Sequence, residues 1–158
     1  MKKMFTLLIA LAIIFTCAQC YAAASKPVYD YNEKIFVEDF NAMAKAMTFS
    51  VIDTKIKTAS DGTKELGDKD LTIKLTLNSA GVVQKIWLSS SNKDRLAEAF
   101  VVTLAIIGFN DKEFEALPLN KKENRISIWC ESAKRQIIAE KAVTQNTFEV
   151  FIEAENKS

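Results

Sequence analysis

Carboxylates are the groups this chain gathers most visibly. Asp61, Glu65, Asp68 and Asp70 fall within ten residues, and hard carboxylate oxygens are the donors that calcium takes. The run lacks EF-hand spacing, and Lys64 and Lys69 interrupt it, so it reads as a wet hairpin loop. Glu149, Glu153 and Glu155 share one side of a strand by period two, with Phe148, Val150 and Ile152 opposite. A glycosidase-like pair needs a cleft and two carboxyls with separated pKa values. Periodicity alone makes these glutamates the solvated face.

The remaining chemistry is narrowed by composition. The chain has no histidine, which excludes Ser-His-Asp and Cys-His catalysis and histidine-ligated zinc or haem. Of its three cysteines, Cys17 and Cys20 fall in an apolar leader, leaving Cys130 alone. One thiol makes neither an internal disulfide nor a four-thiolate site. Set between Trp129 and Glu131 in an alternating run, Cys130 reads as a packing thiol. No catalytic residue, metal ligand or cofactor is expected.

The leader carries the compartment. Lys2 and Lys3 precede an apolar run from Phe5 to Phe15, and small residues follow at Ala22, Ala23 and Ala24. This is the pattern of a cleavable signal peptide over 1–24, and the run is shorter than the roughly 20 residues a membrane span needs. A periplasmic or extracellular protein is expected, with a lipid anchor through Cys17 or Cys20 as the alternative. Neither cysteine has the small residues that lipidation wants before it, since Phe15 precedes Cys17 by two and Gln19 adjoins Cys20.

Residues 25–158 suit a single domain. Of 21 Lys and Arg side chains, Lys2 and Lys3 belong to the leader, leaving 19 against 20 acidic ones and a net charge of −1. That balance argues against a nucleic-acid binder, and the basic residues Arg125, Lys134 and Arg135 are interspersed with acids.

Periodicity supplies the elements. Asp30 to Glu33 has the form of a capping box. Phe36, Phe40, Met43, Ala44 and Met47 recur at helical spacing, predicting a helix from about Glu33 to Met47. Thr48 to Thr58 then shifts to period two, with Ile52 and Ile56 on one side and Lys55 and Lys57 on the other. Asp61-Gly62 and Gly67-Asp68 mark a long turn. Leu71, Ile73, Leu75 and Leu77 alternate with Thr72, Lys74 and Thr76, and Asn78 to Gly81 forms a hairpin loop. The returning strand, Val82 to Ser89, places Val82, Ile86 and Leu88 inward and Lys85 and Trp87 outward.

Ser91 to Asp94 caps a helix from about Lys93 to Ile107 that is apolar nearly all round and suited to cover the sheet. Gly108 ends it, and Asn110 to Glu113 opens a short helix that Pro118 stops. Arg125 to Glu131 and Thr147 to Ala154 alternate as strands. Ser132 to Val143 is either extended, in a hairpin with the last strand, or a short helix, and the extended form is favoured. The class is α+β: an antiparallel sheet, made of a three-stranded meander plus C-terminal strands, packed on one side by helices in the order α-βββ-α(α)-ββ.

This element order is similar to the type III secretion chaperone-like fold, whose members are dimers that bind unfolded effector segments in the cytoplasm; an export leader sets this chain apart from that function. The chain also resembles small exported bacterial proteins of unknown function. The resemblance rests on Phe40-Asn41 in the first helix, the strand Gly81 to Leu88, the apolar helix Ala99 to Gly108 and the closing strand. It brings no activity with it.

The functional expectation is a non-enzymatic exported protein that binds a protein or other envelope partner. Trp87, Lys85 and Trp129 form its first candidate surface, and a homodimer is compatible with it. The alternative is a small carrier of an apolar ligand or lipid, with Met43, Met47, Phe100 and Phe109 lining a cavity between helices and sheet. Enzymatic use of carboxylates or lysine is the third reading, without a constellation to support it.

Overall fold

A computed structural model describes residues 26–117, 124–144 and 146–155. The expectations for the leader with Cys17 and Cys20 and for Pro118 fall outside these. The fold is α+β, as the periodicity implied, but its sheet is larger. The elements are α1 (Glu33–Ala46), β1 (Asp53–Thr58), β2 (Lys64–Gly67), β3 (Thr72–Leu77), β4 (Val83–Ser90), α2 (Lys93–Ile107), α3 (Asp111–Glu115), β5 (Arg125–Cys130), β6 (Arg135–Val143) and β7 (Phe148–Ala154). The seven strands run in the order β1-β2-β3-β4-β7-β6-β5, with every neighbouring pair antiparallel.

Two strands exceed the expected set, for different reasons. Asp61-Gly62 and Gly67-Asp68 are two turns rather than one. Asp61 accepts from the Thr63 N–H at 2.9 Å, and the Asp68 carboxylate accepts from the N–H groups of Asp70 and Leu71. Gly67, at φ +141°, has no room for a side chain, since a Cβ would lie 2.0 Å from the Leu71 carbonyl oxygen. The four residues between the turns form β2, too short to show a period and with Leu66 alone buried. The other added strand is β6. Arg135 to Val143 is extended, as favoured, and hydrogen-bonds to both β5 and β7.

The helices cover one face. α2 lies against β4 and β7, α1 packs on α2, and α3 meets β5. Phe36, Phe40 and Ala44 of α1 and Ala99, Val102 and Leu104 of α2 join Ile73, Leu75, Ile86, Leu88 and Ile152 of the sheet in one core. α2 is capped at its start by the Asn92 side chain and at its end by Gly108 at φ 112°. α3 opens where Asn110 to Glu113 was expected to start it, on a capping box between those two residues.

Two local expectations need correction. The α1 cap is Asn32, whose side chain accepts from the N–H groups of Lys34 and Ile35 at 3.0 and 3.1 Å. Asp30 instead takes both oxygens to the Arg135 guanidinium at 2.8 Å, which ties the N-terminal segment to β6. In β4 the inward residue is Val83, fully buried, rather than the half-buried Val82. A β-bulge opposite Thr76 and Leu77 resets the alternation between Val83 and Lys85.

The buried charge of Arg95 in α2 is matched locally. Its guanidinium donates to Asp68 at 2.6 Å and Glu98 at 3.3 Å and reaches the Val51 carbonyl, so it holds the β2–β3 turn and the entry to β1. Asn41 in α1 both accepts from the Ile52 N–H and donates to its carbonyl, pairing with that backbone as a strand would. Cys130 is a free, buried thiol. Among the described residues, every fully buried side-chain nitrogen and oxygen has a hydrogen-bond partner, and no helix is long and apolar enough to cross a membrane.

Candidate functional site

The face of the sheet turned away from the helices carries side chains of the opposite parity. Strand register aligns them in a row that crosses the whole sheet. Lys57 lies opposite Glu65, Glu65 opposite Lys74, and Lys74 opposite Trp87. Trp87 then lies opposite Phe151, Phe151 opposite Glu140, and Glu140 opposite Arg125. A second row places Thr76 beside Lys85, Lys85 beside Glu153, Glu153 beside Ile138, and Ile138 beside Ser127.

Aromatic rings occupy the middle of the first row, and charges flank them. The Trp87 and Phe151 centroids are 6.3 Å apart with ring planes at 44°, within the range of favourable aromatic pairs. Lys74 Nζ sits 4.8 Å from the centre of the Trp87 ring, a cation–π geometry, and 3.8 Å from Glu65 Oε2. Trp87 Nε1 donates to Glu149 at 3.4 Å. In the second row Lys85 Nζ pairs with Glu153 at 2.8 Å. Between the rows lies a shallow depression of about 470 Å³, bordered by Lys74, Lys85, Trp87, Ile138, Glu140 and Phe151.

Two exposures mark this face as more than a wet surface. Phe151 is 45% exposed, although its neighbours Val150 and Ile152 are buried. Ile138 shares the same face yet is 4% exposed, lying outside the main core among the side chains that border the depression. The face thus has an apolar floor and a rim of both charge signs.

The sequence-derived candidates divide. Trp87 and Lys85 both border the depression. Trp129 lies on the same face but on the edge strand β5, opposite Gln136. Three strand spacings and four residues of rise separate it from Trp87, roughly 20 Å. It is 40% exposed, and its indole donates to Glu131 at 2.7 Å. Lys134, followed by the Trp129 indole, holds the Glu131 carboxyl below its ordinary value.

Phe151, Lys74, Glu140 and Ile138 were not among the sequence candidates. One signal was available: Phe151 interrupts the polar side of β7, between Glu149 and Glu153. Glu140 and Ile138 had none, because their segment was not assigned firmly to a strand.

The carboxylate clusters separate on folding. Asp61 caps its turn, where the Thr63 backbone and side chain keep its pKa low. Glu65 faces Lys74, Asp68 pairs with Arg95, and Asp70 lies beside Lys69. Among the described residues no group of three or more histidine, cysteine or acidic side chains is arranged to hold a metal ion.

The residues expected to line an apolar cavity also separate. Phe100 borders a groove of about 420 Å³ between α2 and β5 to β7, together with Leu96, Ile126, Val143, Phe148 and Val150. Met43 and Met47 pack against the main core, and Phe109 is buried beside Phe114. No family model, curated protein or solved structure matches the chain.

Proposed function

We propose that this protein works by binding, without covalent chemistry, and that it presents the open sheet face centred on Trp87 and Phe151 to a protein partner outside the cytoplasm. The observation that carries this reading is the aromatic pair of half-buried Trp87 and exposed Phe151 on an apolar floor, ringed by Lys74, Lys85, Glu140 and Glu153. Interface hot spots have that anatomy: aromatic side chains at the centre and a polar rim that excludes water. The export leader supports the compartment.

The test is a photo-reactive phenylalanine analogue placed at Phe151 in the producing cell. A discrete protein adduct is expected, and Trp87→Ala should abolish it while thermal unfolding of the variant stays cooperative. An analogue that yields no adduct at position 151, but does so at Phe100, would move the site to the groove.

The groove supports a second reading, that of a carrier. Its lining is mostly apolar, with Lys93 and Lys141 against the single carboxylate of Glu149, a balance that suits an anionic amphiphile. A solvent extract of the purified protein containing a stoichiometric lipid would favour it; an extract free of lipid would count against it.

A further inference from the structure

The charges on the open face are arranged with a symmetry that specifies an occupant. Along the first row, counted outward from the seam between β4 and β7, Trp87 mirrors Phe151, Lys74 mirrors Glu140, and Glu65 mirrors Arg125. In the second row Lys85 mirrors Glu153. Each of these eight side chains thus has, at the mirrored place, one that complements it in charge or stacks with it; farther out, Thr76 mirrors Ile138, and Lys57 of the outermost strand has no mirrored position.

A two-fold axis parallel to the strands, passing above that seam, exchanges these positions. It brings β4 of one copy over β7 of the other and leaves each row facing its own equivalent. Isologous contacts require this kind of self-complementarity. We propose that the occupant of the open face is a second copy of this chain, packed sheet to sheet about that axis. The inference rests on the open face being the binding surface.

In the dimer Trp87 and Phe151 of one copy stack on Phe151 and Trp87 of the other. Lys74 meets Glu140 of the second copy twice, and Glu65 meets its Arg125 twice. Near the axis Lys85 and Glu153, already paired within each copy at 2.8 Å, join into an alternating cluster of four charges. Stacked sheets lie about 10 Å apart and within about 30° of alignment, a spacing that Trp and Phe side chains span. Six strands of about 17 Å at roughly 4.8 Å spacing cover about 500 Å² per copy. The total of about 1,000 Å² is at the low end of specific interfaces, so the dimer is a weak, reversible one.

Charge reversal tests the axis itself. The full mature chain is followed by sedimentation velocity from micromolar to millimolar concentration. Wild type is expected to dimerise reversibly, and Lys74→Glu and Glu140→Lys each to weaken dimerisation by on the order of tenfold or more, since each sets like charges together twice. Mixing the two variants restores association, because each copy then supplies the charge the other lacks, and native mass spectrometry identifies the product as the heterodimer. Near-ultraviolet circular dichroism checks that both variants remain folded.

Folded variants whose mixture stays monomeric would overturn the axis. A wild type that stays monomeric throughout would overturn the second copy as occupant, while a foreign adduct at position 151 would leave the binding face standing. A dimer unchanged by Trp87→Ala would overturn the second copy as the occupant of this face, since that dimer must use another surface; the open face itself is then tested by the adduct at position 151.

Discussion

Trp87 and Leu88 are neighbours in β4, yet they belong to different surfaces. Leu88 is fully buried beneath α2, in a face whose inward residues are nearly all aliphatic. Trp87 is half-buried on the other side, where it touches Lys74, Phe151 and Glu149. One face is defined by removal of apolar area from water, which is indifferent to which aliphatic residue sits where. The other is defined by the identity and order of its side chains across the sheet. That contrast teaches where stability resides and where recognition can reside without compromising it.

The largest effect that sharpens this contrast is on the covered face. Leu88→Ala should destabilise the protein by about 2–5 kcal/mol, through lost transfer energy and the cavity left behind, measured by urea denaturation. A much smaller loss would mean that the helices close over the gap. On the open face Trp87→Ala should cost about 1 kcal/mol or less, the scale of a partly exposed aromatic and cation–π contact. A loss as large as that of Leu88→Ala would place Trp87 in the stabilising core and remove the contrast between the faces.

The smallest effect separates the two tryptophans. Glu131, depressed by Lys134 and the Trp129 indole, should keep its charge at pH values where an ordinary glutamate, at 4.5, is protonated. The stabilisation from this contact is therefore present above the ordinary value and lost as pH falls through the lower, folded one. In a Trp87→Phe background, Trp129 fluorescence should change with a midpoint below 4.5, and Glu131→Gln should remove the transition. A midpoint at the ordinary value would show that Lys134 and the indole do not hold the Glu131 carboxylate in solution.

Legibility in the sequence followed the range of the forces involved. The helices Glu33–Ala46 and Lys93–Ile107, the hairpin of β3 and β4, and the last strand were readable, because helical and strand periodicities are local. The choice of Asn32 over Asp30 as cap was not, since Arg135, distant in sequence, claims Asp30. β2 escaped because two turns lie four residues apart around it. The bulge that points Val83 inward had no period to announce it. Of the open face, Trp87 and Lys85 were legible from alternation, while Phe151 was visible only as an apolar residue out of place.

What the sequence determined by itself is the parity of each element: which side chains of a helix or strand share a face, and that one face must be covered. Backbone geometry imposes that regardless of the rest of the fold. Which strands become neighbours was decided by tertiary structure. Once α2 crosses between the two halves of the sheet, β7 pairs with β4, and that long-range register alone sets Phe151 beside Trp87 and Glu153 beside Lys85. The mirrored charges of the open face exist only after that pairing, because they come from strands that no local rule places side by side.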